Sequence, residues 1–231
     1  MKIAMIMLAA GNSRRFGANK LLYEIDGIPM YQHVLEQLDD TKKKMEHSYS
    51  EYSDIAEDNN DNNSDIVQSN NLYRNNVTNN ITAKIICDII VITQYDAIAE
   101  AVKTKGIQVL YNPHPEDGIS SSVKIGLNAS LDADAVLFTV SDQPWLTSET
   151  ICELIHVFLN TSKGIACVSF QGKMGNPCIF GRKYYNELLS LEGDKGGKKV
   201  IMKHLDDTQI YEIEEGRELE DIDYCESIQS T

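Results

Sequence analysis

Six short runs of apolar, often β-branched residues recur along this chain, and helix-like periodicity fills the gaps between them. The runs are 3–8, 85–93, 108–111, 135–140, 165–170 and 178–180; the helical stretches lie near 29–38, 97–104, 121–131, 148–159, 183–191 and 198–204. Strands that are apolar without alternation are covered on both faces, and strands separated by helices run parallel. The pattern predicts a single α/β domain over 1–231, a three-layer α/β/α Rossmann-like arrangement around a mainly parallel sheet. Ligands of such sheets bind outside the carboxyl ends of the strands. The loops after Leu8 and Val140 are therefore expected to face one crevice.

Composition narrows the partners. The 231 residues carry 42% hydrophobic and 24% charged side chains, a globular balance that excludes a wholly disordered chain. A net charge of −14 argues against nucleic acid or an anionic membrane as partner. From Asp206 to Thr231 ten acids face Arg217 alone. A nucleotide bound elsewhere avoids that field, and any acid beside its phosphates needs a bridging Mg²⁺. The five cysteines, Cys87, Cys152, Cys167, Cys178 and Cys225, form no C-x-x-C pair and read as reduced buried thiols of a cytoplasmic protein. The histidines show no metal-ligand spacing. Lys2, the apolar run and Ala9-Ala10-Gly11 faintly resemble a secretory signal, but Arg14 and Arg15 follow at once and a first buried strand explains the residues better. No run approaches the ~20 apolar residues that span a bilayer.

Residues 41–82 break the alternation. Asn59–Asn80 holds ten asparagines in 22 residues, without Gly or Pro. This stretch reads as a polar surface insertion, disordered or loosely helical at its start.

Several segments carry chemistry. After the first strand, Leu8-Ala9-Ala10-Gly11-Asn12-Ser13-Arg14-Arg15-Phe16-Gly17-Ala18-Asn19-Lys20 presents two glycines and three cations within ten positions. Glycines let backbone N–H groups approach anionic oxygens, and Arg15 and Lys20 supply positive charge. The spacing is neither a P-loop nor a dinucleotide fingerprint. Asp142, in Ser141-Asp142-Gln143-Pro144, emerges from a buried strand as a candidate Mg²⁺ ligand or as a cap. Ser120, Ser121 and Ser122 open a helix after Gly118; they suit contacts to base or ribose, or simple capping. Gly175-Asn176-Pro177 and Asp194, within Gly193-Asp194-Lys195-Gly196, suit a second phosphate-bearing substrate or a plain loop. Asp221 and Asp223 share one side of an extended segment, where one could complete the metal site or belong to a solvated tail.

Taken together these segments resemble the molybdenum cofactor cytidylyltransferases and their wider group of nucleotidyltransferases. The family pattern Leu-Ala-Ala-Gly-x-Ser-x-Arg-Met/Phe-Gly-x-x-Lys-Leu-Leu is met from Leu8 to Leu22, Gly-Met-Ser-Ser-Ser by Gly118–Ser122, and Asp-Gln-Pro by Asp142–Pro144. Gly175–Pro177, Gly193–Gly196 and Asp221–Asp223 match three further pieces, although Tyr224-Cys225 stands where Thr-Pro is usual. The resemblance implies a Mg²⁺-dependent transfer of a nucleoside monophosphate, CMP from CTP, to the phosphate of molybdopterin or its molybdenum form, for delivery to a recipient molybdoenzyme. Alternatives are GMP transfer from GTP, transfer to a sugar or alcohol phosphate, and a non-catalytic nucleotide-binding maturation factor. In this reading Arg15, Lys20 and Asp142 are catalytic, and Asp142 with Asp223 holds the metal. Leu8, Ala9, Ala10, Gly11, Ser13, Gly17 and Ser120–Ser122 bind nucleotide, and Gly175, Asn176, Pro177 and Asp194 bind the acceptor. Ala9-Ala10-Gly11 and Asp142-Gln143-Pro144 favour CTP by the same resemblance.

If the asparagine-rich stretch is a surface insertion, deleting Asn59–Asn80 will leave the calorimetric melting temperature nearly unchanged. A fall of more than ~5 °C, corresponding to more than 1 kcal/mol in a protein of this size, would show that it packs.

Overall fold

The computed structural model describes residues 1–12, 19–58 and 84–222, with side chains omitted for 48–58. Seven strands form one sheet in the order β5-β4-β1-β6-β8-β7-β9. They are β1 (Lys2–Ala9), β4 (Ile86–Thr93), β5 (Gln108–Tyr111), β6 (Ala135–Val140), β7 (Ile165–Phe170), β8 (Lys173–Gly181) and β9 (Thr208–Glu212); β2 (Glu24–Ile25) and β3 (Ile28–Pro29) make a separate small hairpin. Every pairing in the large sheet is parallel except those of β8 with β6 and β7.

β1 is the axis of this arrangement. It pairs with β4 from Lys2↔Ile86 to Ala9↔Thr93 and with β6 from Ile3↔Ala135 to Leu8↔Val140. Its side chains alternate between two apolar layers. Ile3, Met5 and Met7 join α1 (Met30–Asp58), α2 (Asp96–Thr104) and α4 (Ser148–Leu159) on one face. Ala4, Ile6 and Leu8 join α3 (Ile119–Asn128), α5 (Tyr185–Leu189) and α6 (Gly197–Lys203) on the other. The expected three-layer α/β/α Rossmann-like fold is what these two layers build. Sequential strands step outward from β1 to β4 and β5, and the order then reverses to β6. The switch point lies between β1 and β6, where a crevice opens at the carboxyl ends.

Three elements depart from the sequence reading. β8 is antiparallel and begins at Lys173, so Gly175–Pro177 lies within a strand; the Asn176–Pro177 bond is cis. Only Gln171 and Gly172 separate β7 from β8, both with positive φ of 50° and 76°. A two-residue turn of that kind returns the chain antiparallel. β9 carries no apolar run, because as an edge strand it buries only Thr208 and leaves Ile210 and Glu212 exposed. The first helix runs far past residue 38. Thr41 and Met45 are 0% and 3% exposed, so the beginning of the 41–82 stretch belongs to the packed helix. There Thr41 Oγ1 donates to the Gln37 carbonyl at 2.8 Å, while Lys44 Nζ donates to Ser148 Oγ at 2.8 Å and pairs with Glu149. Gln37 Oε1 accepts from the Ser148 N–H at 2.9 Å. The polar residues after Leu38 thus secure the start of α4, which polarity alone did not reveal.

Cys87, Cys152, Cys167 and Cys178 are free and buried, as expected. Burial pushes the Cys87 thiol up to about 12 and those of Cys152 and Cys167 up to about 11. These thiols stay protonated at neutral pH and are poor nucleophiles. Among the described residues no helix is long and apolar enough to cross a membrane.

Met45→Ala is expected to cost about 2–4 kcal/mol in urea denaturation, as for a large side chain lost from a core. An unchanged midpoint would place this part of α1 outside the packed domain.

Candidate active site

A cavity of about 370 Å³ opens at the switch point between β1 and β6. Leu8, Ala10, Gly11 and Asn12 enter it from the end of β1, and Val140, Ser141 and Asp142 from the end of β6. Lys20, Glu116, Gly118, Ile119, Ser122 and Asp194 complete much of the remaining wall. The parallel register dictates this convergence, because Leu8 sits opposite Val140 and Ala9 opposite Thr93.

Lys20 and Asp142 form the charged centre. Lys20 Nζ lies 2.7 Å from Asp142 Oδ2, with the two side chains 11% and 22% exposed. The same ammonium donates to the Ile222 carbonyl at 3.1 Å. Ile222 N–H in turn donates to the Asp142 carbonyl at 3.0 Å. Gln143, 3% exposed, fastens the same segment, its Nε2 donating to the Leu219 carbonyl at 3.1 Å and to Asp221 Oδ1 at 2.9 Å. Ser141 Oγ donates to the Leu8 carbonyl at 3.0 Å and ties β6 to β1. The chain from 219 to 222 therefore braces Lys20, Asp142 and Gln143 through hydrogen bonds.

The glycine before α3 holds the opposite wall. Gly118 adopts φ 81° and ψ −174°, a conformation essentially confined to glycine. A Cβ there would stand 2.5 Å from both Asp194 Oδ1 and the Gly193 carbonyl carbon. Ser120 N–H donates to the Gly193 carbonyl at 3.1 Å. This close approach brings Asp194 into the cavity with Asp142. At Gly11 a Cβ would meet no protein atom within 4 Å, so packing within the described residues does not require glycine there.

Not every expected residue converges. Ser122 lines the cavity, whereas Ser120 and Ser121 line a neighbouring one with Lys124. Gly175 lines a second cavity of about 770 Å³ with Trp145, Arg217 and Leu219. There the Arg217 guanidinium carbon lies 4.3 Å from the centre of the Trp145 ring. Asn176 Oδ1 accepts from the Cys178 thiol, whose sulfur lies 3.6 Å away, and Pro177 follows within β8. Ala9 is fully buried in β1. Ser13, Arg15, Gly17 and Asp223 lie outside the described residues.

Sequence reasoning overlooked residues after two further parallel strands, β4 and β5. Gln94, just beyond β4, donates through Nε2 to the Ala10 carbonyl and to Asn12 Oδ1, both at 2.9 Å. Tyr95 OH donates to the Gly11 carbonyl at 2.6 Å. Asn112, just beyond β5, is 1% exposed and donates through Nδ2 to Ser121 Oγ at 2.8 Å and Ser122 Oγ at 2.9 Å. Their position at strand carboxyl ends was the available signal.

The cavity's charge bears on a metal. Asp142, Asp194 and Glu116 line it, and Lys20 is the one cation among its described lining residues. A backbone N–H and His114 hold the Glu116 carboxyl below its ordinary value. No three His, Cys, Asp or Glu groups among the described residues converge to cage an ion. Carboxylate oxygens beside an open cavity nonetheless fit Mg²⁺, which is bound through one or two carboxylates with substrate phosphates completing the shell.

A doubly covered, mainly parallel sheet with Lys20, carboxylates and Gly11 at its switch point is the arrangement of a nucleotidyltransferase of Rossmann-like fold. The chain belongs to the MobA-like NTP transferase domain family, whose model matches residues 5–47 and 75–208. Over 39 residues it is 49% identical to a probable molybdenum cofactor guanylyltransferase of Pyrococcus horikoshii; that match covers 17% of this chain and 20% of the relative. Among solved structures, Rv0371c of Mycobacterium tuberculosis superposes with a TM-score of 0.66 at 18% identity, covering 97% of this chain and 93% of that one. Rv0371c has also been crystallised as a complex with manganese (TM-score 0.60, 17% identity, 92% and 89% covered). A nucleotidyl transferase of Methanothermobacter superposes with a TM-score of 0.61 at 17% identity, covering 96% and 92%. These structural likenesses bear on the fold.

Gly118→Ala is expected to destabilise by more than about 2 kcal/mol, since backbone strain adds to the clash with the 193–194 backbone. An unaltered urea midpoint would contradict the close approach.

Proposed function

We propose that the chain transfers a nucleoside monophosphate from a nucleoside triphosphate to the phosphate of molybdopterin or its molybdenum form, releasing pyrophosphate. The observation that carries this reading is the Lys20–Asp142 pair, 2.7 Å apart in a cavity shared with Gly11, Ser122 and Asp194. An acceptor phosphate oxygen attacks the α-phosphorus in line. The new P–O bond forms as the bond to the bridging oxygen breaks, and pyrophosphate departs with that electron pair. Such a reaction needs positioning and charge neutralisation rather than a protein nucleophile.

In this proposal Gly11 and the neighbouring amides take the triphosphate, and the open space above Gly11 leaves room for its oxygens. Lys20 neutralises charge near the α-phosphate, Arg15 neutralises the departing pyrophosphate, and Ser13 and Gly17 contribute to nucleotide binding. Asp142 and Asp223 would hold Mg²⁺, which when bound offsets phosphate charge that Lys20 alone cannot match. Ser122, with Ser120 and Ser121 behind it, faces the nucleoside. Asp194 stands toward the acceptor, and Gly175–Pro177 belongs to the acceptor side through the second cavity. The aromatic face of Trp145, beneath Arg217, suits a fused heterocycle there.

The motif resemblance favours CTP. The match to a relative named a guanylyltransferase supports GTP as a second reading. The reduced buried thiols suit the cytoplasm, with a molybdoenzyme receiving the product.

Protein supplied with Mg²⁺, molybdopterin and a panel of nucleoside triphosphates should release pyrophosphate, fastest with CTP. Absence of turnover with every nucleotide would reject the transfer; preference for GTP would reject only the cytidylyl reading. Lys20→Ala and Asp142→Ala should each lower kcat/KM by at least ~10²-fold, and near-normal rates would remove these residues from their roles.

A further inference from the structure

We infer that Asn112 is a positioning residue that turns the Ser122 hydroxyl into a committed hydrogen-bond donor toward the bound nucleoside. The inference rests on the nucleotide-binding part of the function proposed above, and not on the transfer step.

Asn112 is an amide buried to 1% exposure immediately after β5. Its backbone N–H and both ends of its side-chain amide are engaged. Its backbone N–H donates to the Thr93 carbonyl at 2.8 Å, and its Oδ1 accepts from the His114 N–H at 2.9 Å. The second contact fixes the amide orientation, leaving Nδ2 to face the serines. Nδ2 then donates to Ser121 Oγ at 2.8 Å and to Ser122 Oγ at 2.9 Å.

The two serines differ in what remains. Ser121 passes its own proton to the Gly118 carbonyl, with Oγ 2.8 Å from that oxygen, and is satisfied in both directions. Ser122 is 5% exposed, lines the cavity and accepts from Asn112, but its O–H meets no acceptor among the described residues. A hydroxyl is both donor and acceptor. Occupying its acceptor side with an amide that can only donate leaves the proton for another partner, and a buried donor without one is costly. The open side of Ser122 is the cavity. The complementary ligand atom is an acceptor on the nucleoside, such as a base carbonyl oxygen, an unprotonated ring nitrogen or a ribose oxygen. A base presenting an N–H at that point would meet donor against donor, so the same hydroxyl contributes to base choice.

Asn112→Asp tests the direction of the bond. Asp keeps the oxygen that accepts from His114 but turns the other atom into an acceptor, which would capture the Ser122 proton. Calorimetric binding of CTP and GTP should show the Kd of the preferred nucleotide raised by about 10-fold, with a smaller change for the other. Under turnover, KM should rise while kcat stays within about 3-fold. Ser122→Ala should have a similar effect. Asn112→Asp added to Ser122→Ala should then weaken binding little further, because the added carboxylate acts through the hydroxyl. Plain charge repulsion on the triphosphate would instead add in full. If burying the carboxylate unfolds the protein, Asn112→Ser removes the amide donor without charge and carries the same cycle.

Unchanged Kd values in the folded variants, or full additivity in the double variant, overturn the inference. Wild-type protein that binds nucleotide but transfers it to no acceptor fails the transfer reading and leaves this inference intact. Wild-type protein that binds neither nucleotide overturns both.

Discussion

Everything at the site follows from the double pairing of β1. A strand buried on both faces and hydrogen-bonded on both edges has no freedom to slide, because a one-residue slip would exchange its two apolar layers. Ile3, Met5 and Met7 belong to one layer, and Ala4, Ile6 and Leu8 to the other. With that register fixed, the ends of β4 and β6 arrive beside the end of β1. Asp142 and Gly11 therefore reach one cavity although more than a hundred residues separate them in the chain.

The close approach of Gly118 to the 193–194 turn adds the second wall. It joins two loops from the same face of the sheet, and it does so through backbone atoms, with little side-chain slack. The charged centre is held differently. Lys20 and Asp142 are partly screened from water, so their attraction is stronger than that of an exposed pair, yet both still line an open cavity. This balance suits a site that must exchange internal pairing for contacts to an anionic ligand.

Much of this was legible in the residues. Five of the six expected strands needed at most a residue of adjustment at either end, and the buried alternation along β1 follows from its unbroken apolar run. The Leu8–Lys20, serine and Asp-Gln-Pro segments do meet at one crevice through Gly11, Ser122 and Asp142. What escaped has a common cause. Asn112, Gln94 and Gln143 act through hydrogen bonds to backbone or to other side chains, and their spacing carries no periodic signature. The continuation of α1 beyond residue 38 escaped because Thr41 and Lys44 are polar residues with partners on α4, and partners are tertiary information. The antiparallel sense of β8 lay in a two-residue turn that apolar run lengths do not weigh.

The bond from Lys20 to the Ile222 carbonyl spans 202 positions of sequence. During synthesis at about 5–20 residues per second, Lys20 leaves the ribosome roughly 10–40 s before the segment that secures it. The first strand and its loop are thus made long before their charged centre can close. Translation order separates formation of the first strand from closure of the Lys20 contacts, and a nascent chain halted before residue 222 lacks the backbone carbonyl that steadies its lysine.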